Sequence, residues 1–398
     1  MSKSIKKATD LAEHLILPPH HRVTASLFPF RNPSRTFDNP WDTWEERQFS
    51  DLVRWNKERS AAGIPSTGWL TTTGVKHTPT PQQWLEAFPP HPIDHAALQS
   101  PPPDAIQATW IGHATVLVQL EGISFITDPV FSDRCSPVQW AGPKRLVPVP
   151  LSIADLPDTL DFVLISHNHY DHLDTASVES LYKRFPNLKW YVGLGLKAWF
   201  PIKMKPNVVE LDWWDEHQHN KDNSNSGSSV KVISTPAQHW SLRTPLFQKN
   251  GGKKETLWCG FAVIGNATNL RCWFAGDTGY CPAFKLIGER LGPIDLCFIP
   301  TGAYEPRWFM KPQHVNPQEA VKIHQEVKAL NSISIHAATF PLTDEAMDEP
   351  VKLLIQEAAA AGLDDDEFVT LKHGGMVRVR QGGGRMSGSE GGVVPVLR

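Results

Sequence analysis

The stretch Phe162-Val163-Leu164-Ile165-Ser166-His167-Asn168-His169-Tyr170-Asp171-His172-Leu173-Asp174 sets the reading of the whole chain. Four apolar residues run into a segment holding His167, His169, Asp171 and His172 within six positions. Imidazole and carboxylate are good zinc donors. A loop at a strand's end lets residues at i, i+2, i+4 and i+5 converge, which neither a straight helix nor a straight strand allows. The plain alternative is a polar loop rich in histidine by chance, and so many donors directly after an apolar strand stand against it.

Three later segments repeat the design of a strand closing on a donor. His239 ends Val232-Ile-Ser-Thr-Pro-Ala-Gln-His239, and His336 closes Ser332-Ile-Ser-Ile-His336. Asp277 lies in Trp273-Phe-Ala-Gly-Asp-Thr-Gly279, where Gly276 and Gly279 permit a tight turn. Taken singly, each histidine reads as a structural residue; the shared context reverses that. Asp128, in Ile-Thr-Asp-Pro, reads either as support for a ligand histidine or as a turn residue. His113, in Trp-Ile-Gly-His-Ala-Thr, belongs either near the site or in the core.

Working outward, strands are predicted at 108–120 and 123–128, joined by the short turn Glu121-Gly122. Others follow at 162–166, 190–192, 208–211, 230–235, 261–265, 272–275, 294–299 and 332–336. Helical patterns occupy 175–185, 282–291, 316–330, opening on Asn-Pro-x-Glu, and 349–361. Runs of strands interrupted by helices fit an α+β sandwich of two sheets flanked by helices rather than a regular βαβ alternation. The first hundred residues are broken repeatedly by proline and read as an arm wrapping the core, with short helices such as 52–58. The expected organisation is an N-terminal extension over 1–104, a hydrolase domain over 105–378 and a disordered Gly-rich tail over 379–398, with a polar loop at 221–229.

Composition limits the function classes. The 398-residue chain is 40% hydrophobic with a net charge of −3, enough for a large core and without the basic stripe of a nucleic-acid binder. Lys3, Lys6 and Lys7 read as a solvated terminus. Five cysteines with no Cys-x-x-Cys pair favour a reducing compartment over a disulfide framework. Neither a signal peptide nor a membrane span is expected. Fifteen tryptophans suit a core or a site apolar at one end and wet at the other.

The motif His167-x-His169-x-Asp171-His172 after an apolar strand is similar to the signature of the metallo-β-lactamase superfamily. That resemblance implies an αββα sandwich with a metal site at the sheet edge. It implies two zinc ions per chain, one on His167, His169 and His239, the other on Asp171, His172 and His336, with Asp277 bridging. The superfamily leaves the reaction open. Longer runs are more specific: Asn39-Pro-Trp41, Leu211-Asp-Trp-Trp214, Gln238-His-Trp240, Ala275-Gly-Asp-Thr-Gly-Tyr-Cys-Pro-Ala-Phe284, Gly302-Ala-Tyr-Glu-Pro-Arg-Trp-Phe-Met310 and Gln313-His-Val-Asn-Pro317. These resemble the N-acylphosphatidylethanolamine-hydrolysing phospholipase D family over roughly residues 38 to 375. One departure is Ala337-Ala338 after the last ligand, where the family usually has Trp-Gly.

The resemblance implies hydrolysis of N-acylphosphatidylethanolamine to phosphatidic acid and an N-acylethanolamine by a hydroxide bridging the zinc ions. Asp171, Asp277 and His314 are the expected catalytic residues, and Gln313, His314 and Arg243 the expected substrate contacts. A metal-bound water or His314 would protonate the leaving alkoxide; Arg243 reads equally as an ordinary surface arginine. Trp213-Trp214 and Trp308-Phe309-Met310 are candidates for an acyl groove or a bilayer contact, with core packing as the plainer reading. Residues 5–17 have apolar side chains at helical spacing that suit either a membrane surface or the core. The expected partners are a phospholipid substrate, a peripheral membrane surface and, as an open option, a second copy in a homodimer; nucleic acid is not expected. The expected place is intracellular, on an internal membrane. The rival classes are a lactonase or other small-molecule hydrolase on the same scaffold and a non-enzymatic lipid-binding protein.

Overall fold

The computed structural model describes residues 20–24, 34–64, 80–221, 227–243, 252–381, 386–388 and 392. The helical stretch expected at 5–17, most of the Gly-rich tail and residues 222–226 of the polar loop lie outside them. The strands are β1 (His21–Thr24), β2 (Ser34–Phe37), β3 (Ala105–Gly112), β4 (Thr115–Leu120), β5 (Ile123–Thr127), β6 (Phe162–Ile165), β7 (Lys189–Gly193), β8 (Val208–Leu211), β9 (Glu216–Asn220), β10 (Ser229–Thr235), β11 (Gly260–Gly265), β12 (Arg271–Phe274), β13 (Leu296–Pro300), β14 (Ser332–Ile335), β15 (Phe368–Val369), β16 (Met376–Arg380) and β17 (Ser387–Gly388). The helices are α1 (Phe49–Ala61), α2 (Pro81–Ala87), α3 (His95–Gln99), α4 (Thr175–Arg184), α5 (Ala283–Leu291), α6 (Arg307–Met310), α7 (Pro317–Glu326) and α8 (Glu349–Ala360).

One sheet runs β17-β16-β3-β4-β5-β6-β7-β8 and the other β15-β14-β13-β12-β11-β10-β9. Alternation along β6 shows how the layers form. Phe162 and Leu164 join a core shared with Phe261, Val263 and Phe298 of the second sheet. Val163 and Ile165 point the other way, onto Val178 and Leu181 of α4. A strand buried on both faces reads as an unbroken apolar run. Beyond the second sheet, α5 and α7 add Phe284, Ile287 and Val321. The result is the expected αββα sandwich.

Several expectations need correction. The strand predicted at 108–120 is two strands, because Gly112 (φ 134°) and His113 (φ 54°) turn the chain between them. A Cβ on Gly112 would lie 2.9 Å from the His373 ring, so the turn depends on glycine. The helix predicted to 330 ends at Glu326, where Val327 caps it and Lys328 turns left-handed. Strand β9 has the sequence Glu-His-Gln-His-Asn, with no apolar alternation to announce it; charge and polarity are common on sheet edges. Strand β16 runs past the domain boundary expected at 378, and Ser387–Gly388 pairs with it through Arg378 and Val377. The segment 379–388 therefore belongs in part to the sheet.

The N-terminal extension is tied to the sandwich. Phe37, Trp41 and Trp84 join the main core. On α1, the Trp55 indole donates to Asp344 Oδ2 at 2.6 Å and buried Arg59 pairs with the same carboxylate.

Candidate metal centre

The loops that follow β6, β10, β12 and β14 carry the donors foreseen from sequence. After β6, the amides of His172 and Leu173 both reach back to the His169 carbonyl, a tight turn that folds His167, His169, Asp171 and His172 towards one another. Gly276 (φ 63°) lets Asp277 approach the same place; a Cβ there would meet Ser166 at 2.7 Å. His113, Asp128 and His336 hold φ of 54°, 31° and 61°. Non-glycine residues in this region are costly and gather where surrounding structure fixes them for a purpose.

The centre of the arrangement is Asp277 Oδ2. It lies 3.0 Å from His172 Nε2, 3.1 Å from His336 Nε2, 3.8 Å from His239 Nε2 and 3.9 Å from both His167 Nε2 and His314 Nδ1. On one side, His169 Nδ1 is 2.8 Å from His167 Nε2 and 3.2 Å from His239 Nε2. On the other, Asp171 Oδ2 is 3.4 Å from both His172 Nε2 and His336 Nε2. Each set has ligand atoms close enough to share one ion. Asp277 Oδ1, His172 Nε2 and His336 Nε2 are buried and have no hydrogen-bond partner in the protein. Buried polar atoms left this way need an explanation. A set of imidazole nitrogens and carboxylate oxygens converging on common points fits divalent metal.

Outer contacts fix which ring nitrogen faces inward. His172 Nδ1 donates to Asp128 Oδ2 at 2.6 Å. His167 Nδ1 donates to Ser166 Oγ at 2.9 Å, and that hydroxyl in turn donates to Asp128. His239 Nδ1 donates to the Gln313 carbonyl at 2.9 Å. With Nδ1 occupied, each Nε2 lone pair is left for an ion. Asp128 is therefore a support for two histidines, resolving the choice left open by the sequence.

Charge divides the centre. Burial and the neighbouring His239 push His169 down to about 3, and burial pushes His239 down to about 4 against the pull of Asp277. Across Asp277 the order inverts. Despite burial, Asp277 and Asp171 raise His336 to about 9 and hold His172 well above its ordinary range. Burial opposes ionisation of Asp277 as well, yet His172 and His336 hold it well below the usual carboxylate range. In the metal-free chain the carboxylates thus favour protons on His172 and His336, whereas His167, His169 and His239 are held neutral.

The remaining candidates divide. The His314 ring faces Asp277 and packs 5.1 Å from His239 and 5.3 Å from His336. Gln313 enters the site through its main-chain carbonyl; its side-chain Nε2 lies 3.2 Å from Met310 Sδ instead. Arg243 is neither at the surface nor open to a substrate. It is buried, with Nη1 donating to the carbonyls of Asn168 (3.0 Å) and Leu173 (2.7 Å) and its guanidinium 4.1 Å from the Tyr170 ring. Its charge is spent on bracing the ligand loop. Trp213 is core, stacked on Trp41 and donating to the Trp258 carbonyl. His113 lies at the site, 3.0 Å from Asp171 Oδ2. Sequence reasoning missed Asn39, whose amide donates to the His239 carbonyl at 2.7 Å, although it opens one of the family-like runs.

Comparison with known proteins agrees with this geometry. A profile described as the beta-lactamase superfamily domain matches residues 124–337. The chain is 44% identical over 314 residues to N-acyl-phosphatidylethanolamine-hydrolyzing phospholipase D 1 of Caenorhabditis elegans, covering 77% of this chain and 84% of that protein. It is 36% identical over 259 residues to the Saccharomyces cerevisiae protein named N-acyl-phosphatidylethanolamine-hydrolyzing phospholipase D, mitochondrial, covering 65% of this chain and 53% of that one. The solved structure of an isothiocyanate hydrolase from Delia radicum gut bacteria shares the fold, with a TM-score of 0.51 at 20% identity over 68% of this chain and 97% of its own. The chain belongs to the N-acylphosphatidylethanolamine-hydrolysing phospholipase D family, within the beta-lactamase superfamily.

Proposed function

We propose that the chain is a zinc-dependent phosphodiesterase of phospholipase D type that converts N-acylphosphatidylethanolamine to phosphatidic acid and an N-acylethanolamine. The observation that carries this reading is the convergence of His172, His336, His239 and His167 on Asp277 Oδ2 in a member of this family. His167, His169 and His239 would hold one zinc ion and Asp171, His172 and His336 the other, with Asp277 as the shared anion. Zinc pairs supply Lewis acidity towards phosphoryl oxygens and lower the pKa of water towards about 7.

The chain's own residues do the rest. Asp128 and Ser166 keep His172 and His167 in the tautomer that presents Nε2. Burial and the neighbouring His239 and His336, against Asp277, hold His314 well below its ordinary range. His314 therefore meets the substrate as a hydrogen-bonding ring.

Substrate in a bilayer calls for a peripheral membrane contact, and α1 offers one. Phe49, Leu52 and Val53 lie at i, i+3 and i+4 and are 79%, 37% and 38% exposed, beside exposed Arg54 and Lys57. Trp55, buried on the adjoining side of the helix, packs 4.9 Å from Phe309 of α6, the helix that leads into His314. No helix among the described residues is long and apolar enough to cross a membrane. An internal membrane is the proposed location, in line with the mitochondrial relative.

The test is the fate of oxygen. Hydrolysis of N-acylphosphatidylethanolamine in ¹⁸O-water should place the label in phosphatidic acid and leave the N-acylethanolamine unlabelled. Release of diacylglycerol, or label in the alcohol, would contradict the proposed bond cleavage. Hydrolysis of lactones or soluble esters alone would move the chain to the small-molecule class on the same fold.

A further inference from the structure

His113 is placed by the fold in a way that its position in the sequence does not require. It occupies the turn between β3 and β4 with φ 54°, a conformation that a histidine adopts at a cost. Three main-chain contacts hold it there. Its N–H donates to Thr339 Oγ1 at 2.7 Å, and its carbonyl accepts from the Trp110 indole at 2.9 Å and from the His336 amide at 3.1 Å. The ring then lies tilted against His336, with centroids 4.0 Å apart, and brings Nε2 to 3.0 Å from Asp171 Oδ2.

The tautomer follows from the surroundings. Nδ1 is buried and has no partner. A buried lone pair is less costly than a buried N–H, and an ionised carboxylate only accepts hydrogen bonds. The proton therefore sits on Nε2 and is donated to Asp171. Asp171 is the half-site donor reached from the most open side, and its Oδ2 must also sit 3.4 Å from His172 Nε2 and His336 Nε2. One residue thus sets two donors of the same half-site, His336 through a main-chain carbonyl and Asp171 through its ring.

We propose that His113 is a positioning residue of the Asp171–His172–His336 half-site, orienting Asp171 by a hydrogen bond rather than coordinating the ion itself. The inference rests on the two-ion reading of the site and not on the identity of the substrate.

The experiment compares His113→Asn with His113→Gln in the full chain. Asparagine tolerates the left-handed turn but is too short to reach Asp171; glutamine places an amide N–H near the position of Nε2. Zinc content and chelator-competition affinities are measured for wild type and both variants, together with the absorption spectrum after cobalt substitution. His113→Asn should weaken one ion about 10- to 100-fold, the usual cost of losing such a support, while the other ion binds as in wild type. His113→Gln should recover most of that affinity with an unchanged cobalt spectrum. Equal loss in both variants with a changed spectrum would make His113 a ligand and overturn the proposal. Unchanged affinities, with lowered melting temperature alone, would make it structural and overturn it too. A wild-type stoichiometry of one ion would instead sink the two-ion reading on which the proposal rests, an outcome read from wild type alone and so distinct from the variant results.

Discussion

At Asp277, two imidazole nitrogens crowd one carboxylate oxygen, at 3.0 and 3.1 Å, and both belong to rings held in the protonated form. An ion entering this half-site must displace those protons, so metal uptake and proton release are coupled. For His336 the sign is definite. Its pKa in the fold, about 9, lies above its ordinary 6.5, so its proton stabilises the metal-free fold. That contribution is complete below about pH 6.5 and is lost as pH rises through about 9. The metal-free protein should lose melting temperature across that window, while the zinc-loaded protein should not. Zinc titration near pH 7 should release protons, seen as a binding enthalpy that changes between buffers of different ionisation enthalpy. Buffer-independent enthalpy with a flat metal-free profile would refute the proposed protonation of this half-site. The donors themselves were legible in the sequence, because His167, His239, Asp277 and His336 each follow an apolar strand. Arg243 and Gln313 were not, since burial in one case and a main-chain carbonyl in the other decide what they do.

The element that matters most is the loop between β6 and α4. Its carbonyls at Asn168 and Leu173 point inward, and the Arg243 guanidinium answers both, with Thr175 Oγ1 a further 3.2 Å contact. Removing the guanidinium leaves buried acceptors unpaired, each costing about 1–3 kcal/mol. Arg243→Met keeps much of the volume and should lower stability by about 2 kcal/mol or more and weaken zinc binding at His169, whose neighbour Asn168 loses its anchor. Denaturant unfolding and zinc competition would measure the two effects. Stability and metal affinity both equal to wild type would show that the loop stands without the brace. The central strands, as short apolar runs, and the helix at Thr175–Arg184 were readable in the sequence, but the order of the strands and the break at Gly112-His113 were hidden. Apolar residues continue on both sides of it, so only the backbone angles reveal the turn. Short elements such as α2, α3 and α6 carry too few residues for a period to show.

Across the whole molecule, the strand ends of both sheets meet at the metal centre, and α1 lies over α6 next to it. Arg47 Nε donates to the Phe309 carbonyl at 3.0 Å, and Trp308 Nε1 donates to Glu58 at 3.0 Å, so the helix is fastened just before its start and in its last turn. The face it turns outward carries Phe49, Leu52 and Val53 beside the exposed charges of Arg54 and Lys57, apolar and basic side chains together as suits a membrane surface. The proposed membrane contact gives that face a measurable weight. A fully buried side chain of this kind gains about 1.5 kcal/mol or more, so partial insertion of three should change partitioning at least tenfold, or about 1.4 kcal/mol. Replacing Phe49, Leu52 and Val53 together by serine should therefore lower sedimentation with vesicles and kcat/KM on vesicle-borne substrate by at least about tenfold. Turnover of a short-chain substrate below its micelle concentration should hold, since α1 keeps Trp55 and Arg59 on its inner face. Equal loss on both substrates would show that the apolar face supports the fold rather than the membrane. Unchanged vesicle binding, with a shift from dimer to monomer, would instead assign the face to a second copy of the chain.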